Sequence, residues 1–258
     1  MAVIAMSSQR ECLIACENLR KEFEAVTAVD DVSVEIYDEF TTLIGPNGAG
    51  KTTFFNLLSG THSPTSGTVQ LSGKDVTELG SHKRAHAGLG RTYQVTTLFD
   101  ELSSFENVRL AVQSMAQPNY ANIFADALND EKTTEEAHAV LDRLGFDERR
   151  TTKAQNLSQG YKRLLEIGIA VATDPDILLL DEPTAGLAVD KKTQLFEVVA
   201  DIAEERSVLL IEHKLDVVRQ FSDRLLVMHN GSLLASGEPE SVLSDESVQE
   251  AYLKGAVQ

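Results

Sequence analysis

Hydrophobic and polar positions follow two periods along this chain, and the changes between them divide it. Cys12-Leu13-Ile14-Ala15-Cys16 and Val32-Ser33-Val34-Glu35-Ile36 read as strands, the second with clean alternation. Residues 12–40 therefore predict β-structure, interrupted by a turn at Arg20-Lys21-Glu22-Phe23. Thr42-Leu43-Ile44 is a short apolar run of the buried-strand kind, and Phe54-Phe55-Asn56-Leu57-Leu58 opens a helix that stops at Gly60. Thr68-Val69-Gln70-Leu71 alternates again. After Gly90-Arg91-Thr92-Tyr93-Gln94 the period lengthens. Ser103-Ser104-Phe105-Glu106 has capping-box form and leads a stripe of Phe105, Val108, Val112 and Met115. Thr133-Thr134-Glu135-Glu136 repeats the start signal ahead of Ala137, Val140, Leu141 and Leu144, with Gly145 as the stop.

The strand–helix alternation then resumes. A helix after Leu157-Ser158-Gln159-Gly160 carries Leu164, Leu165, Ile169 and Ala172. Residues 177–180 form a continuous apolar strand ending at Asp181-Glu182, and the next helix aligns Leu195, Val198, Val199 and Ile202. Residues 207–211 are another buried strand, ending at Glu212-His213. Asn230-Gly231 between residues 224–228 and 232–236 is a two-residue hairpin signal. These patterns predict an α/β fold with a mostly parallel sheet, an antiparallel β subdomain and an α-helical subdomain inserted over 95–157. All of it belongs to one domain, 12–254, behind an extension at 1–11.

The chemistry begins at Gly45-Pro46-Asn47-Gly48-Ala49-Gly50-Lys51-Thr52-Thr53, which has P-loop spacing in the required strand–loop–helix context. Glycines let backbone N–H groups converge on a phosphate, and the helix that follows adds its own unpaired donors. Lys51 is placed to reach β- and γ-phosphates and the Thr52 hydroxyl to hold Mg²⁺. Parallel sheets bind ligands beyond the carboxyl ends of their strands. There Asp181 suits a Mg²⁺-holding role, and Glu182 suits a base that orients or deprotonates water. His213 at another strand end can contact a γ-phosphate. Ser158 before a helix is either a helix cap or a second anion-binding terminus, one without a lysine of its own.

Composition narrows the setting. With 40 acidic and 23 basic residues among 258 the formal charge is −17, which disfavours nucleic acid and anionic lipid as partners. So acidic a surface also fits selection at very high salt, where self-repulsion is screened. Cys12 and Cys16 are the only cysteines and lack a second ligand pair, so they read as small reduced core residues. No apolar run approaches the roughly 18 residues that span a membrane, and the first ten residues lack signal-peptide character. A cytoplasmic location is expected.

The order P-loop, Gln94, Leu157-Ser158-Gln159-Gly160, residues 177–182 and His213 resembles the Walker A, Q-loop, signature, Walker B and switch-histidine motifs of ATP-binding-cassette (ABC) ATPases. The resemblance covers about 12–254 and implies the ABC ATPase architecture around a P-loop NTPase core. It implies ATP held by Phe23, stacking on adenine, by residues 45–53, and by Ser158, Gln159 and Gly160 of a second chain. It further implies Mg²⁺ at Thr52, Gln94 and Asp181, and hydrolysis through Glu182, His213 and Gln94. The expected assembly is a head-to-tail homodimer, or a heterodimer with a close paralogue, on the cytoplasmic face of the membrane. Permease subunits would meet the helical insert and the Q-loop, with a solute-binding protein as an indirect partner. Gly90-Arg91-Thr92-Tyr93-Gln94, Phe105-Glu106-Asn107-Val108 and Asp181-Glu182-Pro183-Thr184-Ala185-Gly186-Leu187 are similar to the ATPases of branched-chain amino acid importers. Urea/amide importers and lipopolysaccharide exporters share much of this pattern. The motifs are also compatible with a non-transport ABC ATPase and with a non-hydrolysing nucleotide-binding regulator. Tyr161 and Ala188 depart from the family's usual Gln or Glu and Asp.

Overall fold

The computed structural model describes residues 10–92, 98–116 and 131–255. Two sheets form the frame. The first is antiparallel, in the order β2 (Val26–Tyr37), β1 (Cys12–Phe23), β4 (Ser66–Leu71), β5 (Lys74–Asp75). The second runs β10 (Ser232–Gly237), β9 (Arg224–His229), β3 (Phe40–Ile44), β8 (Ser207–Ile211), β7 (Ile177–Asp181), β6 (Leu89–Arg91). Only its β9–β10 hairpin is antiparallel. Asn230 (φ 49°) and Gly231 (φ 83°) both take the left-handed conformation that a two-residue hairpin turn needs.

The continuous apolar runs are explained by burial on both faces of this sheet. Ile177 and Leu179 join a core shared with the antiparallel sheet and with α1 (Lys51–Leu58), where Phe54, Phe55 and Leu57 are buried. Leu178 and Leu180 point the other way, into a core built by α3 (Ser104–Ala116), α4 (Glu131–Arg143), α5 (Gln159–Val171) and α6 (Val189–Ala203). A smaller core under α7 (Leu215–Phe221), α8 (Pro239–Leu243) and α9 (Glu246–Gly255) buries Val218, Val242 and Val248. The short α2 (Ser81–Ala85) precedes β6. Among the described residues, no helix is long and apolar enough to cross a membrane.

The helix signals are realised in detail, with one shift. Ser103 and Glu106 form the capping box: Ser103 N donates to Glu106 Oε2 at 2.8 Å, and Glu106 N to Ser103 Oγ at 3.2 Å. Gly145 (φ 70°) ends α4 in a Schellman motif, with Phe146 N on Leu141 O at 2.9 Å and Gly145 N on Asp142 O at 3.0 Å. The shift is at the other end of α4. The helix already includes Glu131, so Thr133 is a buried interior residue and not a cap.

The turn expected at Arg20-Lys21-Glu22-Phe23 is also displaced. Those residues belong to β1, and the chain reverses at Glu24 (φ 49°) and Ala25. Phe23 pairs with Val26 at the tip of a long two-stranded ribbon. Neither face is fully covered there, so the polar–apolar alternation that marks a strand is missing. Cys16 is buried and Cys12 partly so, both free thiols on β1.

Candidate functional site

The parallel register brings four loops to one edge. β3 runs into the P-loop, β8 into Glu212-His213, β7 into Glu182 and β6 into Thr92. Because β8 lies between β3 and β7, Glu212-His213 sits between the P-loop and Glu182. A cleft of about 490 Å³ opens there, lined by residues 47–53, Glu182, the β1–β2 side (Val26, Thr27, Ala28) and the hairpin tip Asn230-Gly231.

Glycine has a specific reason at two P-loop positions. A Cβ on Gly45 would meet Met228 O at 2.2 Å, and one on Gly50 would meet Ala28 O at 2.2 Å. The loop is therefore clamped between the hairpin and β2, and Gly231 reinforces this by donating to Ala49 O at 3.1 Å. Asn47 and Gly48 are exposed toward the cleft, while Pro46 is half-buried and Ala49 is covered. Lys51 is buried at the start of α1, and its Nζ donates to Gly45 O at 2.8 Å and Pro46 O at 3.1 Å. Burial holds the Lys51 pKa below the ordinary lysine value, with Glu182 and Asp181 pulling it back up.

Thr52 is exposed and Thr53 half-buried on the same first turn. Asp181 is buried at the end of β7, and Arg91 Nη2 lies 3.8 Å from its Oδ2. Arg91 also donates to Phe55 O at 3.2 Å and to Ser59 Oγ, tying the end of β7 to α1. Glu182 takes a left-handed conformation (φ 46°), strain of the kind that collects at functional sites. Its Oε1 is 2.6 Å from His213 Nε2. Thr52 and Asp181 supply hard oxygen donors suited to Mg²⁺, which takes one or two protein oxygens and completes its shell with water and phosphate. Among the described residues, no cluster of three or more His, Cys, Asp or Glu could hold a metal ion.

Other predicted residues do not line the cleft. Ser158, Gln159 and Gly160 start α5 away from it; the Ser158 side chain is exposed and makes no capping bond, although it occupies the N-cap. Phe23 is 40 % exposed, packed edge-on against His62 at 5.5 Å, and beside Val26 at the cleft margin. Gln94 lies outside the described residues. Sequence reasoning missed Arg91, Glu212 and the hairpin tip as site elements. Arg91 and Glu212 stand beside recognisable motif residues, but a motif reports neighbours in sequence and these two act on distant ones. A larger cleft of about 580 Å³ lies at the opposite edge, lined by Arg10, Tyr37, Glu39, Asp223 and Arg224. Its guanidiniums pair with its own carboxylates, so it offers a phosphate nothing comparable.

Comparison with known proteins gives the same reading. The ABC transporter family matches residues 29–185. The high-affinity branched-chain amino acid transport ATP-binding protein LivG of Escherichia coli K12 is 36 % identical over 254 residues, covering 93 % of this chain and 97 % of LivG. BraF of Pseudomonas aeruginosa, of the same description, is 35 % identical over 248 residues, with 93 % and 97 % covered. The solved structure of a nucleotide-free ATP-binding cassette from an ABC transporter superposes with a TM-score of 0.81 at 32 % identity, over 93 % of this chain and 98 % of that one. A cassette in its ADP conformation does so at 0.81 and 31 %, over 94 % and 98 %. A clamped phosphate loop, an acid–histidine pair beside it and these likenesses converge: the chain belongs to the ABC transporter family, as an ATP-binding subunit.

Proposed function

We propose that this chain is the ATP-hydrolysing motor of an importer for branched-chain or related amino acids, working on the cytoplasmic face of the membrane through permease subunits. The observation that carries the ATPase reading is Glu182 Oε1 placed 2.6 Å from His213 Nε2 at the wall of the P-loop cleft. Glu182 acts as the base that orients and deprotonates the attacking water, and His213 holds Glu182 and the γ-phosphate in register. Lys51 and the amides of residues 47–53 bind the phosphates. Thr52, Asp181 and Gln94 would hold Mg²⁺, which when bound would offset phosphate charge. Phe23 stacks on adenine at the cleft margin. The solute class comes from the relatives, whose printed descriptions name branched-chain amino acid transport.

The single-chain cleft is half a site. Ser158 offers an unengaged hydroxyl at a helix start yet lies outside it. In this reading Ser158, Gln159 and Gly160 close over the ATP of a second chain, identical or closely paralogous. Each nucleotide then touches both chains, so it favours the closed state over the open one. The region 95–157 passes the motion to the permease, and the solute-binding protein acts upstream of it. The acidic surface belongs to adaptation to high salt and gives nucleic acid no role. In the test, the Glu182→Gln protein should bind ATP while phosphate release falls by about 10²–10⁴-fold. Unchanged phosphate release would overturn the assignment.

A further inference from the structure

The ends of β7 and β8 are joined by a ring of contacts centred on Glu212, a residue to which ATP hydrolysis as proposed assigns no role. Glu212 is 4 % exposed and follows the last residue of β8. Its Oε1 accepts the hydroxyl of Thr184, itself 3 % exposed. Its Oε2 accepts the backbone N–H of His213 at 2.7 Å and, more loosely, that of Lys214 at 3.4 Å. His213 Nε2 in turn meets Glu182 Oε1, two residues before Thr184 on the β7 side. The ring therefore closes: Glu182, the chain to Thr184, Glu212, His213, and back to Glu182.

We infer that Glu212 is the positioning residue of the acid–histidine pair, fixing the His213 backbone against the 182–184 turn so that the imidazole meets Glu182. The inference rests on the ATPase reading of Glu182 and His213. A carboxylate is the group this position requires, because both of its oxygens accept, one from each loop. A carboxamide has one accepting oxygen, so Gln keeps the His213 amide only by presenting its NH2 to Thr184, whose hydroxyl must then turn from donor to acceptor, and both contacts lose their charge. Charge-assisted bonds of this kind are roughly twice as strong as neutral ones, and the pocket is dry enough to keep them so. A side chain that only filled space would not need donors from two loops. Glu212 does not line the cleft, and the predicted ATP contact it touches is His213, so its effect passes through that residue.

The test is a double-mutant cycle on steady-state hydrolysis, with binding of a fluorescent ATP analogue measured in parallel. Glu212→Gln should lower kcat about tenfold or more while nucleotide affinity stays within about twofold, the signature of a group acting in the transition state. In the His213→Ala background the same change should cost nothing further, because the residue it positions is gone. The Thr184 pair gives a second comparison should Glu212→Gln fail to fold: Thr184→Ser keeps the hydroxyl and should keep kcat, whereas Thr184→Val should lose part of it. Multiplicative losses for Glu212→Gln and His213→Ala, or equal kcat for the two Thr184 variants, would overturn the inference alone. A His213→Ala protein with unchanged kcat would overturn it together with the catalytic reading of His213.

Discussion

At the residue scale, the site combines backbone amides that are neighbours in the chain with side chains whose partners lie far along it. Residues 45–53 declare themselves because P-loop chemistry depends on consecutive backbone amides, and consecutive residues are what a sequence displays. Glu212 and Arg91 work on partners that folding brings from far along the chain: Thr184 for the first, and Phe55 and Asp181 for the second. Their neighbours in sequence mark where they stand but not which partners they reach. Cys16 shows the opposite case, a residue whose bland reading has a measurable consequence. Burial pushes its thiol pKa up to about 12, from an ordinary value of 9.0. The folded thiol therefore keeps its proton where the unfolded one loses it. Its contribution is complete below the ordinary value and is lost as pH climbs through the folded value. The stability advantage of wild type over Cys16→Ala, read from urea unfolding, should hold at neutral pH and shrink progressively above pH 9.0. A difference independent of pH would contradict this.

At the element scale, α1 is held at both ends. Its N-terminus is the phosphate loop. Its C-terminal carbonyls, Leu57 O and Leu58 O, each accept from Arg84 Nη1 at 2.7 Å. Arg84 also donates to Leu79 O at 2.8 Å and Thr77 O at 2.9 Å, and it is fully buried. Replacing it with Met leaves four carbonyls without this donor, and a buried acceptor left unsatisfied costs about 1–3 kcal/mol. Arg84→Met should therefore lose about 3 kcal/mol or more, seen as a lower denaturant midpoint with an unchanged slope. A shift within about 0.5 kcal/mol would show that the clip is idle. The helices and buried strands were readable because their periods reflect one-sided or two-sided burial. The ribbon tip of β1 escaped because exposure there removes the alternation, and the start of α4 because Thr133 serves packing at a position that mimics a cap.

At the scale of the whole molecule, two features extend beyond one folded chain. The charge of −17 means that self-repulsion opposes compaction wherever salt is low. Dialysis from molar salt into dilute buffer should unfold the protein, as followed by circular dichroism; a signal indifferent to salt would contradict adaptation to a saline interior. The other feature is the proposed division of the site, which rests on Lys51 and Glu182 at the cleft and Ser158 exposed elsewhere. Light scattering on size-exclusion chromatography of the Glu182→Gln protein tests that division most directly. With Mg·ATP, a particle of twice the 28.2 kDa chain mass is expected, reverting to the single chain when nucleotide is withheld. A monomer under both conditions would contradict it.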